Sequence, residues 1–241
     1  GPNDVGLSRK HVIEGTKAAL RRLKMDVVDL VYCHRPDPET PMEETVRAMS
    51  HLVDRGYAFY WGTSEWTAEQ IRHAAGIAER KNLIPPTMEQ PQYNMFHREK
   101  VEREFAPLYD DLGLGTTTWS PLASGVLTGK YNDGIPDDSR LATEGYEWLR
   151  EAVLQTDRLE KVRALTEIAE EVDCTTAQLA LAWCLQNPNV SSVITGATKP
   201  HQVEENMQAL DVANRLTPET MDRIEDILDN RPTPPKNWRN H

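Results

Sequence analysis

The stretch Thr118-Trp119-Ser120-Pro121-Leu122-Ala123-Ser124-Gly125-Val126-Leu127-Thr128-Gly129-Lys130 gathers the residue types needed to hold a flat ligand that carries phosphate. Its indole offers a face for stacking. The small residues and glycines behind it let the backbone bend sharply and come close to a ligand, and a lysine follows. An ordinary Gly/Ser loop after a strand has the same spacing, so the neighbouring chain has to decide. Residues able to do chemistry recur at equivalent places, because apolar runs also end on His34, Ser64, Gln90 and Gly196. A histidine so placed can serve as an acid or a base.

The elements that must position these residues alternate. Ser8 caps a helix to about Lys24, with Val12, Ala19, Leu20 and Leu23 as its apolar stripe. Val27 to Cys33 is nearly continuously apolar, which predicts a parallel strand covered on both faces. Thr40-Pro41-Met42-Glu43 reads as a capping box opening a helix that Gly56 ends. Tyr57 to Trp61 is the next strand, and Thr67 with Gln70 opens a helix to about Arg80. Met88-Glu89 is a short strand, 98–111 a charged helix, and Leu114 to Trp119 a strand. A loop of about thirty residues follows, long enough to read as a lid or binding loop. Helices are expected at 157–172 and, from a box at Thr175 and Gln178, at 176–187. Val190 to Thr195 is the last strand. One helix then reaches about Ala209 and another, capped by Thr217, runs to Asp229, before an irregular tail over 231–241.

Strand and helix alternating with short links predict a parallel sheet, and a (β/α) barrel is its closed form. Ligand chemistry in barrels gathers where strands end, so His34, Ser64, Gln90, Trp119 and Gly196 are expected to share a pocket. Among these 241 residues the net charge is −11 and the pI about 5.1. That balance argues against a sequence-independent grip on nucleic acid. No apolar run approaches the roughly 18 residues of a membrane span, so no membrane insertion is expected. Cys33, Cys174 and Cys184 have no metal-ligand spacing and suit reduced thiols in a cytoplasmic setting. Gly1-Pro2 reads as a protease-cleavage remnant.

Arg35-Pro36-Asp37, Trp61-Gly62-Thr63-Ser64, Glu89-Gln90, Trp119-Ser120-Pro121-Leu122 and Gly196-Ala197-Thr198 resemble, in order and spacing, the aldo-keto reductases. Within that superfamily they are most similar to the potassium-channel beta-subunit branch, from about Gly6 to Lys236. The resemblance implies a single domain over 1–241 of the (β/α)8 TIM-barrel type, truncated to its last five strand–helix units, strands 4–8. It implies NADP(H) as cofactor and hydride transfer to a small-molecule aldehyde or ketone. Trp119 would stack on the nicotinamide, while Ser64 and Gln90 hold its carboxamide. Ser120, Leu122, Ser124, Lys130 and Arg140 would line the pyrophosphate. Gly196, Thr198, Gln202, Glu205 and Asn206 would grip the adenosine end, with Lys199 at the 2′-phosphate beside a helix N-terminus.

The family's catalytic set is an aspartate, a tyrosine, a lysine and a histidine, in which the tyrosine is the general acid and the histidine orients the carbonyl. Only the histidine has a counterpart, His34, and Tyr93 is the substitute proton donor to consider. Glu65 stands where the channel subunits carry arginine. Five strands cannot close an eight-stranded barrel, so three explanations stand: a homo-oligomer or a partner chain covers the open edge, which is the favoured one, the sequence lacks its front part, or the strands pair in a flatter sheet. Two further functions remain beside the reductase. One is a non-redox isomerase, dehydratase or cyclase using His34, and the other is an NADPH-binding regulatory subunit.

Overall fold

Two backbone groups with no room between them set the sheet. Gly62 faces Met88 across a strand pair, and a Cβ built on Gly62 would lie 2.3 Å from the Met88 carbonyl oxygen. The computed structural model describes residues 4–233, so Gly1-Pro2 and the tail from Pro234 lie outside the described residues. Two compact units result: Gly1–Pro91 with Glu104–Thr117, and Gln92–Arg103 with Thr118–His241. The fold is α/β, with five strands ordered along the sheet as they are in the chain.

In the first unit, α1 (Arg9–Leu23), α2 (Met42–Asp54) and α3 (Ala68–Lys81) alternate with β1 (Val28–Cys33), β2 (Ala58–Ser64) and β3 (Met88–Gln90). After α4 (Ala106–Leu112) comes β4 (Gly115–Thr118). The pairings are parallel, with Cys33 opposite Thr63, Ser64 opposite Gln90 and Glu89 opposite Thr116. Cys33 and Trp61 enter the core with Val46, Met49, Leu52, Ile71 and Leu108. Side chains alternate along a strand, so Tyr32, His34, Ser64 and Gln90 belong to the opposite face. There the Tyr32 hydroxyl reaches Thr117 Oγ1, 3.1 Å away, passing the strand that carries side-chain-free Gly62.

Local chemistry sets most boundaries. Ser8 Oγ accepts from the His11 N–H, and the Thr67/Gln70 box forms in full. Thr40 does not cap α2. Its hydroxyl donates instead to Asp37 Oδ2 at 2.6 Å, and Pro41 takes the N-cap position with no side-chain bond. The helix expected over 98–111 is broken into a π-helical turn (Lys100–Glu104) and α4, whose second residue, Pro107, has no N–H to offer the preceding turn. Nor is β1 covered on both faces. Leu30 is 41% exposed and Asp29 is also exposed, because β1 pairs only with β2 among the described residues.

In the second unit, α5 (Glu147–Val153), α6 (Thr156–Glu171), α7 (Thr176–Leu185) and α10 (Pro218–Leu228) pack around Leu141, Leu149, Leu165, Trp183 and Ile224. The Thr175/Gln178 box forms as expected. β5 is only Ser192–Val193, and just beyond it the Ile194 N–H donates to the Thr118 carbonyl at 2.8 Å. The helix expected to reach Ala209 divides at Gln208 into α8 (Pro200–Met207) and α9 (Ala209–Ala213). The long loop contains a 3₁₀ turn at Arg140–Ala142 and α5, each with a buried leucine, Leu141 and Leu149.

An alanine at 62 must separate β2 from β3, and overpacking of this kind costs about 1–3 kcal/mol. Gly62→Ala is therefore expected to lower the unfolding free energy by that amount, read as a lower midpoint in equilibrium denaturation, whereas Gly15→Ala, inside α1 with no atom nearer than 4.0 Å to its Cβ, should not lower it.

Candidate functional site

In the first unit the expected site residues sit at strand ends and are joined by hydrogen bonds. Ser64 is buried and its hydroxyl donates to the Gln90 carbonyl at 2.8 Å. One nitrogen of Arg35, Nη1, donates to Ser64 Oγ at 3.2 Å and to the His34 carbonyl at 2.5 Å. The Ser64 proton is thus spent on Gln90, so toward a ligand this hydroxyl accepts and would meet an N–H such as that of a carboxamide. His34 is exposed at the end of β1. Asp37 holds the turn behind it, accepting from the Leu7 N–H at 2.7 Å, the Glu39 N–H at 2.9 Å and the Thr40 hydroxyl. The Thr40 bond first, then the Leu7 amide, holds the Asp37 carboxyl below the usual carboxylate range.

Beside these residues lies a carboxylate that sequence reasoning named only as part of a motif. Glu89 is fully buried and accepts from the Thr63 hydroxyl and, at 3.2 Å, from the Trp66 N–H. It braces the strand that ends on Gln90. Burial, then the field of this carboxylate, pushes the Cys33 thiol up to about 12. Arg35 was likewise only a motif member. Its partner Ser64 lies 29 residues away, beyond the reach of local pattern.

In the second unit, the stretch that follows β4 is wound tightly. Trp119 is half-buried, and its carbonyl accepts from the Tyr93 N–H at 3.2 Å. Ser120, Ala123, Ser124 and Gly125 all have positive φ (54°, 48°, 57° and 93°). Three of the four are not glycine and carry the strain of the left-handed region. The turn is held by the Asn94 side-chain amide on the Ser120 carbonyl at 2.9 Å and by the Gly125 N–H on the Leu122 carbonyl at 2.8 Å. A Cβ on Gly125 would come within 3.1 and 3.2 Å of Lys130 Cε and Nζ. An ammonium group laid against a bare glycine inside a tight turn fits a phosphate-bearing ligand. Ser120 Oγ is occupied by the Ser124 N–H at 3.3 Å, and Leu122 supplies its carbonyl to the turn.

The remaining residues group at the start of α8. Gln202 Oε1 accepts from the Thr198 N–H at 2.7 Å, the Thr198 hydroxyl at 3.2 Å and the Lys199 N–H at 3.1 Å. The Asn206 amide donates to the Gly196 carbonyl at 3.4 Å, and the Glu205 carbonyl accepts from Gln178 at 3.1 Å. Lys199 Nζ lies 3.3 Å from Asp138 Oδ2, with both groups exposed. Such a pair is worth little and yields readily to a stronger anion. Arg140 lies over the Tyr146 ring, 5.2 Å from its centroid.

Tyr93 does not suit proton donation. It is 2% exposed, its hydroxyl donates to Glu102 at 2.8 Å, and the Asn187 amide donates to it at 3.3 Å. Burial, then the Glu102 carboxylate, drives its pKa well above the ordinary tyrosine value. It belongs to a structural network in which Arg98 is bonded to Glu102 and Glu225 at 2.7–3.0 Å and lies over Trp183.

Burial also raises the Cys184 thiol. An acid whose folded pKa exceeds its unfolded value stabilises the fold below the unfolded pKa and loses that contribution as pH rises through the folded one. Cys33, Cys184 and Tyr93 all have this sign. Thermal unfolding should therefore show a midpoint that falls steeply as pH passes 9.0 toward about 12. Up to pH 8, iodoacetamide should leave Cys33 and Cys184 unmodified until the protein unfolds.

Residues 1–229 match the model of the aldo/keto reductase family. The chain is 61% identical over 240 residues to a probable voltage-gated potassium channel subunit beta of Arabidopsis thaliana, covering 99% of this chain and 73% of that one. It is 60% identical, with the same coverage, to a protein of that description from Oryza sativa subsp. japonica. With a putative voltage-gated potassium channel subunit beta of Schizosaccharomyces pombe it shares 51% identity over 235 residues, 96% of this chain and 68% of the other. The chain belongs to the aldo/keto reductase family, on its potassium-channel-beta-subunit-like branch.

Proposed function

We propose that this aldo/keto reductase-type chain binds NADPH and takes part in reducing a small aldehyde or ketone, its strands standing for the fourth to eighth of the family barrel. The observation that carries this reading is the Trp119–Lys130 turn, in which a half-buried indole, a run of left-handed residues and Lys130 against Gly125 follow one another. When bound, the nicotinamide supplies the hydride. Trp119 stacks against it, and Ser64, limited to accepting, takes the carboxamide N–H while Gln90 completes that grip. Ser120, Leu122, Ser124, Lys130 and Arg140 follow the pyrophosphate. Gly196, Thr198, Gln202, Glu205 and Asn206 hold the adenosine end, and Lys199 exchanges Asp138 for the 2′-phosphate.

His34 is the family residue that orients the carbonyl oxygen. The roles this reading gives to the residues at hand are cofactor binding and, through His34, carbonyl orientation. A second reading, an NADPH-binding regulatory subunit, is favoured by the likeness to voltage-gated potassium channel beta subunits. In both readings a homo-oligomer contact or a partner chain is a candidate cover for β1, whose one strand neighbour among the described residues is β2. β1 borders a cavity of about 990 Å³ lined by Val12, Leu20, Leu30, Tyr32 and Arg35. No described helix is long and apolar enough to cross a membrane.

NADPH titrated into the chain should quench tryptophan fluorescence saturably. Trp119→Ala should weaken the affinity roughly 5- to 150-fold, since loss of one stacking contact is worth about 1–3 kcal/mol. Aldehyde-dependent NADPH oxidation that falls in His34→Ala separates the reductase from the regulatory subunit. An absence of NADPH binding by the unaltered chain removes both readings.

A further inference from the structure

Arg35 stands just beyond the end of β1, next to His34. Its Nη1 is fully used, donating to Ser64 Oγ at 3.2 Å and to the His34 carbonyl at 2.5 Å. These two bonds tie the guanidinium to the end of β2 and to the residue that orients the carbonyl. Nε and Nη2 have no hydrogen-bond partner among the described residues, and the side chain is exposed. Nε–H and Nη2–H form the side-on fork that matches the two oxygens of a carboxylate.

The nearest acid along the chain does not neutralise this fork. Both oxygens of Asp37 are taken by the Leu7 and Glu39 amides and the Thr40 hydroxyl. Arg35 makes no ion pair among the described residues.

We propose that Arg35 is a specificity residue that binds a carboxylate on the carbonyl substrate, so that the site prefers aldehydes or ketones carrying a carboxylate over neutral ones. The carbonyl itself lies toward His34 and the carboxylate pairs with Nε and Nη2. This inference rests on the carbonyl-site reading above, but it concerns a contact that needs no cofactor.

Isothermal titration calorimetry of the unaltered chain, with and without NADPH, compares 4-carboxybenzaldehyde with 4-methylbenzaldehyde, which has a similar shape and no charge. The expected result is about tenfold tighter binding of the carboxylate, a preference that shrinks as NaCl is raised. Arg35→Gln should bring the two affinities together, and Arg35→Lys, which keeps the charge and loses the fork, should fall between. Equal affinities in the unaltered chain, or a preference that survives Arg35→Gln, would overturn the proposal. Failure of NADPH to bind would remove the cofactor reading and leave the aldehyde comparison in nucleotide-free protein to decide this one.

Discussion

The close approach of β2 to β3 at Gly62 and Met88 is the constraint on which the first unit depends. With the Gly62 α-carbon against the Met88 carbonyl, no side chain can intervene, and the parallel register runs on to bring Ser64 opposite Gln90. Three consequences follow. Ser64 can give its proton to Gln90 and keep only acceptor capacity for a ligand. Tyr32 can reach Thr117 across the gap. The strand that ends in Gln90 can be braced from its other face by Glu89, a buried carboxylate satisfied by Thr63 and Trp66. Leaving a buried polar group without its partner costs about 1–3 kcal/mol, so Thr63 and Trp66 hold Glu89 in this arrangement.

The second unit relies on strain. Four residues between Ser120 and Gly125 take positive φ, and three of them have side chains. Strain of this kind persists only where surrounding bonds over-determine it. Here the Asn94 amide on the Ser120 carbonyl and the successive bonds to Leu122 do so. The turn therefore presents a preformed cradle, and a ligand binding there need not pay for ordering a loose loop.

Sequence pattern revealed most of the element order because caps and periodicity are local. Ser8, Thr67 with Gln70, and Thr175 with Gln178 each act within three residues, and each helix begins where its cap stands. The failures have non-local or competing causes. Thr40 bonds Asp37 instead of capping α2, and Pro107 interrupts what charge pattern alone presents as one helix. The apolar run of β1 suggests burial on both faces, yet burial depends on a neighbour that only the fold can specify. Of the site, the strand-end residues were legible as a set of terminating positions. The Arg35–Ser64 bond and the commitment of Tyr93 to Glu102 and Asn187 were not, since those partners meet only after folding.

The central claim is that this chain's own strand-end turn and the start of α8 form a nicotinamide-dinucleotide site. Hydrogen–deuterium exchange with and without saturating NADPH tests it most directly. The account predicts slowed exchange concentrated in 119–130 and 196–206, with α3 and α6 unchanged. Unaltered exchange in both segments under conditions where NADPH is bound would contradict it.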